Sequence, residues 1–114
     1  MTDAGSGFAL VVRFTLHPDM AEEFDRLTAQ TVAHIRTEEP GTLLYSCHRV
    51  QGASDQRIFY ELYRDRAAFD AHERYEHVRQ FLAARKRLIN TVEVDFLDYV
   101  DGKTPILDDG SSDD

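Results

Sequence analysis

Tryptophan is absent from this 114-residue chain, cysteine occurs once, and lysine and arginine number 13 against 21 aspartates and glutamates. The single cysteine, Cys47, rules out an intrachain disulfide and any metal site built on several thiolates, and it suits a reducing compartment. So few cations leave no basic stripe for a phosphate backbone, and nucleic acid is not an expected partner. Five of the eight net negative charges, on Asp3, Asp108, Asp109, Asp113 and Asp114, lie near the ends, which leaves residues 8–107 at −3. No apolar run approaches the ~20 residues that span a bilayer. The opening MTDAGSG lacks the basic and apolar regions of a signal peptide, so no membrane partner and a cytoplasmic location are expected. Also missing are GxGxxG, a P-loop, CxxCH and a lysine in a pyridoxal-type setting, so no cofactor is expected.

Hydrophobic residues make up 42% of the chain, enough for one core but not two domains. Residues 1–7 and the acidic stretch 101–114 are too polar to offset their ordering entropy by burial, and both are expected to be disordered around a domain spanning 8–100. FALVVRFTL (8–16) places Phe8, Leu10, Val12, Phe14 and Leu16 on one face at the strand period of two. Asp19 with Glu22 has capping-box spacing, and Met20, Phe24, Leu27, Thr31 or Val32, and Ile35 form one helical stripe that Glu39-Pro40-Gly41 ends. TLLYSCHRV (42–50) and RIFYELYRD (57–65) read as a hairpin. Asp65 caps a short helix, a second helical run extends from about Glu76 to Leu88, and TVEVDFLDYV (91–100) reads as a last strand. The order βαββαβ predicts an α+β, ferredoxin-like sandwich with the first and third strands central.

Two helical layers cover one face of such a sheet, yet strand three carries Ile58, Tyr60 and Leu62 on one side and Phe59 and Tyr63 on the other. About five large wet residues would forgo roughly 1.5–3 kcal/mol each, a sum comparable with the ~5–15 kcal/mol stability of a domain. A second copy packed against the open face supplies the missing layer, so a homodimer is expected.

Polar residues on the core-facing elements are the candidates for chemistry. His72 and His77 are about 140° apart on a continuous helix and could not share a metal there. His17, His34 and His48 are scattered and no HExxH spacing occurs, so no metal site is expected. Around the second helical run Arg85 falls within the apolar arc of Val78, Phe81, Leu82, Leu88 and Ile89, with His77 at its edge, as in a pocket where polar groups orient a ligand. The alternative is that Arg85 snorkels and His77 faces water. Glu61 shares a face with Phe59 and Tyr63. If the helices cover that face, it is a buried carboxylate paired with Arg85, His72 or a tyrosine, in either a functional or a structural role. Tyr45 adds a phenol, and Cys47 reads as a small core residue.

EEPGTLLYSCHRV followed by YELYRDRAAFDAHERYEHVRQFL resembles the antibiotic biosynthesis monooxygenase (ABM) family. Its marks are the proline-glycine after the first helix, the tyrosine-glutamate of strand three with an aromatic two residues on, and the histidines of the broken helix. The resemblance implies a dimeric α/β barrel of ferredoxin-like protomers with a pocket between helices and sheet. It also implies oxidation of a small phenolic, quinol or polyketide-like aromatic substrate by dioxygen without a cofactor. A base takes the phenolic proton, and the electron-rich anion then reduces oxygen. Matching positions make His72, His77 and Glu61 the expected catalytic residues, and Tyr63, Tyr45, Phe59, Phe81 and Arg85 the expected substrate-binding ones. The tryptophan of many relatives is Tyr63 here. The haem-degrading branch's asparagine, aromatic and histidine positions fall on Val12, Tyr63 and Leu82, which disfavours that reaction. An isomerase or cyclase using the same acid-base groups, and a non-catalytic ligand-binding dimer, are the alternatives.

Overall fold

Strand β1 (Phe8–Leu16) buries Leu10, Val12, Phe14 and Leu16 on one face, as the alternation of its apolar residues predicts. It belongs to a computed structural model that describes residues 7–104. Helix α1 (Ala21–Glu38), strands β2 (Thr42–Val50) and β3 (Ala53–Tyr63), helices α2 (Arg66–Arg74) and α3 (Glu76–Ala84), a 3-10 turn at Arg85–Arg87 and strand β4 (Ile89–Asp98) follow. The strands form one antiparallel sheet in the order β2-β3-β1-β4. This is the ferredoxin-like α+β sandwich expected, with β1 and β3 central. Among the described residues no helix is long and apolar enough to cross a membrane.

The core lies between the helices and one face of the sheet, where Phe14, Phe24, Phe59 and Phe81 pack together. Phe14 meets Phe59 edge-on at 4.8 Å between centroids, the arrangement that ring quadrupoles favour. A buried cation shares this face. Arg57, 5% exposed, grips Asp25 of α1 through Nε and Nη2 at 2.8 and 2.9 Å and spends Nη1 on the Ser54 and Gln56 carbonyls. Every donor group of this guanidinium is occupied, so it ties α1 to β3.

Several local expectations change. The Asp19 side chain caps nothing: Asp19 adopts φ 66°, Met20 takes the N-cap position, and no side chain bonds the first turn. The buried stripe of α1 is Phe24, Thr28, Thr31 and Ile35: of the expected alternatives Thr31 rather than Val32 is buried, and Thr28 takes the place expected of Leu27. Strand β3 begins at Ala53 because Gly52, at φ 81°, reverses the chain in a tight turn and the polar Ser54-Asp55-Gln56 join the ladder through their backbones. Asp65 does cap α2, accepting the Ala68 N–H at 2.8 Å. The second helical run ends at Ala84, and β4 starts two residues earlier than expected. Cys47 is exposed, because β2 is an edge strand beyond the helical cover.

The two sides of the sheet are apolar in different places. On the open face Leu62 and Ala9 are buried, Ile58, Tyr60 and Val11 are half-buried, and Leu44 and Leu97 are exposed. On the helical face the helices stop short of edge strand β4, so Val92, Val94 and Phe96, paired with Phe14, Val12 and Leu10, remain 44–60% exposed. Most of the two tails expected to be disordered, residues 1–6 and 105–114, lies outside the described residues. Gly7 is buried and accepts the Tyr99 N–H.

Candidate active site

Proline 40 forbids another helical turn, and α1 stops with the Glu39 N–H bonded to the Ile35 carbonyl. The chain then passes so close to α2 that a Cβ on Gly41 would sit 2.7 Å from Ala68 Cβ. The Arg64 N–H bonds the Gly41 carbonyl at 2.9 Å, fixing the approach. This contact delivers the Glu39 side chain into the interior, where the residue is 5% exposed.

Three donors converge on that carboxyl. His72 Nδ1 lies 2.7 Å from Oε1, Thr42 Oγ1 donates to the same oxygen at 2.6 Å, and His77 Nε2 lies 2.5 Å from Oε2. Burial alone would raise the Glu39 pKa, but hydrogen bonds from His72, Thr42 and His77, with the nearby His72 charge, bring it below the usual carboxylate value. An ionised carboxylate has no hydrogen to give, so both ring nitrogens facing it carry the protons. In neutral His72 the free lone pair is therefore on Nε2. Among the described residues Nε2 makes no hydrogen bond, and the buried polar side-chain atom shut away without a partner is Thr28 Oγ1, not this one. His72 Nε2 is accordingly open to the adjacent cavity.

That cavity, of about 220 Å³, lies between α2, α3 and the sheet. Leu10, Val12, Phe69, Val78, Phe81, Leu82, Val94 and Phe96 give it apolar walls, and Tyr45, Glu61, His72, Glu73 and Arg85 supply its polar groups. Glu61, 6% exposed, accepts the Tyr63 hydroxyl at 2.6 Å. Burial raises its pKa more than the Tyr63 bond and the His72 charge lower it. Burial also pushes the phenols of Tyr45 and Tyr63 well up, with the Glu61 charge adding to both. Arg85 stands over Phe14 and Phe81, with its guanidinium carbon 5.3 and 5.6 Å from their ring centroids. Burial pulls its pKa down, against the charges of Tyr45, Glu61 and Glu73. The site can thus present a lone pair, a buried carboxyl and a cation to one ligand in a cavity open on its β4 side.

Of the residues singled out in the sequence, Glu61, His72, Tyr45, Phe81 and Arg85 meet at this cavity. Tyr63 stands behind Glu61 as a wholly buried donor, and Phe59 is packed in the core. His77 does not line the cavity. The break at Tyr75 turns it to the far side of Glu39, so the expected shared outlook of His77 and Arg85 is not what forms. Glu61 takes Tyr63 as its partner rather than Arg85 or His72. Glu39 itself went unrecognised, because in EEPG it reads as a helix terminator, and its partners lie 33 and 38 residues away. The one available signal was a second glutamate placed where the helix must end.

Residues 7–84 match the family model described as antibiotic biosynthesis monooxygenase. The chain belongs to that family. Among solved structures similar to this chain, PA3566 from Pseudomonas aeruginosa is 28% identical with a TM-score of 0.79, covering 88% of this chain and 100% of that one. Rv0793 from Mycobacterium tuberculosis is 26% identical with a TM-score of 0.78, covering 85% and 98%. The uncharacterized protein sll1783 of Synechocystis is 34% identical over 65 residues, 57% of this chain. This ABM chain spans 44% of that relative, less than half its length. Membership of the family supports a monooxygenase-like function.

Proposed function

We propose that this ABM protein is a cofactor-independent monooxygenase that oxidises a small phenolic, quinol or polyketide-like aromatic with dioxygen. The observation that carries the proposal is the Glu39–His72 pair, with an unbonded Nε2 beside an apolar cavity. His72 Nε2 takes the substrate's hydroxyl proton, and Glu39 stabilises the imidazolium that results. The aromatic anion, held against Phe69 and Phe81 with Val94 and Phe96 at the open side, is the reductant for dioxygen. Arg85 offsets the developing negative charge, and Glu61 with Tyr45 hydrogen-bonds the substrate's oxygens.

The cavity's size narrows the substrate. A site of ~150 Å³ lined by aliphatic and aromatic residues holds benzene, whereas drug-sized ligands occupy ~300 Å³ or more. About 220 Å³ suits one or two fused rings, with a larger ring system projecting toward the exposed β4 side.

A homodimer is part of the same proposal. The open face offers Val11, Leu44, Ile58, Tyr60 and Leu97 as a contiguous apolar surface across all four strands, and a second copy laid on it buries that surface. Light scattering should give twice the chain mass for the wild type and a monomer for Tyr60→Asp. The activity test is oxygen uptake with a panel of hydroquinones, naphthols and anthrones. Uptake faster than buffer that falls with His72→Ala is expected, and uptake equal to buffer in air, or substrate turnover that proceeds equally in air and under argon, would refute the proposal.

A further inference from the structure

The outer side of the Glu39 cluster holds groups that the proposed chemistry does not use. His34 and Glu38, one turn apart on α1, face His77 from the first turn of α3. One ligand-type atom from each lies within 4.8 Å of the other two. His34 Nδ1 is 2.7 Å from Glu38 Oε2, His77 Nδ1 is 3.7 Å from Glu38 Oε1, and the two imidazoles stack 5.2 Å apart.

We propose that His34, Glu38 and His77 form a binding site for a divalent transition-metal ion of the zinc class. The donor set supports this choice. Two imidazole nitrogens and one carboxylate oxygen make up the three-ligand set that zinc accepts with water in the fourth position, whereas calcium and magnesium require mostly oxygen. His77 is already prepared for the role. Its Nε2–H is held by the buried Glu39 carboxylate, so its Nδ1 lone pair points outward, and a metal-ligating histidine characteristically gives its other N–H to such a carboxylate. Glu39 is itself fixed by Thr42 and His72.

The geometry requires only a modest closure. Tetrahedral bonds of ~2.0–2.1 Å separate ligand atoms by roughly 3.3 Å, less than the 4.8 Å limit within which these atoms lie. His34 and Glu38, with side chains 56% and 47% exposed, are free to rotate inward, while His77 at 8% is the fixed member. No spacing motif marks this site, because His34 and His77 are 43 residues apart and sit on different helices. The site lies outside the aromatic cavity and does not depend on the proposed oxidation.

The test is calorimetric titration of the chelator-stripped full chain with ZnCl₂, with Co²⁺ visible spectra as a second readout. One equivalent of Zn²⁺ per chain and tetrahedral Co²⁺ bands are expected. His34→Ala and Glu38→Gln change exposed side chains and should leave the circular dichroism spectrum intact. Each should weaken binding by more than the ~10–100-fold that loss of a supporting carboxylate causes, and Glu39→Gln should weaken it within that range. Substoichiometric uptake by the wild type, or uptake undiminished in His34→Ala, would show an adventitious ion only and overturn the site.

Discussion

Glu39→Gln preserves volume and removes one charge, and it tests the centre of the proposed site directly. The wild-type carboxylate accepts from His72, Thr42 and His77 at 2.7, 2.6 and 2.5 Å. A hydrogen bond to a charged group contributes about 1.5–3 kcal/mol, against about 0.5–1.5 for a neutral pair. Over three bonds the difference is about 3–5 kcal/mol, reduced because a neutral amide costs less to desolvate. A net loss of about 2–4 kcal/mol follows, lowering Tm by about 10–20 °C in a domain of this size. Chemistry changes as well as stability. The amide oxygen can serve two donors, but its NH₂ then faces the third, and one imidazole must turn a lone pair inward. Urea unfolding measures the first effect, and nitrogen-proton correlation spectra of labelled histidines identify the protonated ring nitrogen. Wild-type spectra should show His72 protonated at Nδ1 and His77 at Nε2, with at least one of these reversed in the variant. Unchanged tautomers together with a stability change below about 0.5 kcal/mol would refute the shared-acceptor account.

Other substitutions probe separate features. Glu61 has a raised folded pKa, so the folded state holds a proton that the unfolded chain releases near pH 4.5. Its stabilising contribution is present below that pH and lost as pH rises through the folded value. Glu61→Gln should therefore gain on the wild type as urea midpoints are taken from pH 5 to pH 8, and a constant offset would contradict the assignment. Among the described residues Thr28 Oγ1 is buried without a hydrogen-bond partner, so Thr28→Val should raise stability by about 1 kcal/mol, seen as a Tm increase of several degrees; an unchanged or lower Tm would argue for a hidden partner. Gly41→Ala drives a methyl against Ala68 and should cost about 1–3 kcal/mol. The double variant Gly41→Ala, Ala68→Gly should recover most of that loss, and failure to do so would place the strain elsewhere.

The fold was legible because its signals are local. The period of two in FALVVRFTL, the stop at Pro40-Gly41, the Asp65 cap and the break at Tyr75 each act within a few residues, and each appears in the structure. The same reading failed at Asp19, where capping-box spacing existed but a left-handed backbone took the side chain away from the helix. The site was only half legible. Period two placed Glu61 beside Phe59 and Tyr63, and helical projection placed Arg85 toward the core. By contrast, Glu39 meets His72 and His77 only when the end of α1 docks against α2, which depends on a missing methyl at Gly41. No spacing rule within one element encodes that contact. The direction of His77 failed for a related reason, since projection along one helix cannot say what the neighbouring helix presents.

Strand β4 alternates Val92, Val94 and Phe96 with Thr91, Glu93 and Asp95 along an edge that, among the described residues, pairs with no further strand. Another molecule aligning its β4 there would crowd carboxylates against carboxylates, a built-in deterrent to fibre-like stacking. The charges on this strand thus act against association of one copy with another, and replacing both acids with uncharged residues should lower the concentration at which the protein precipitates on standing.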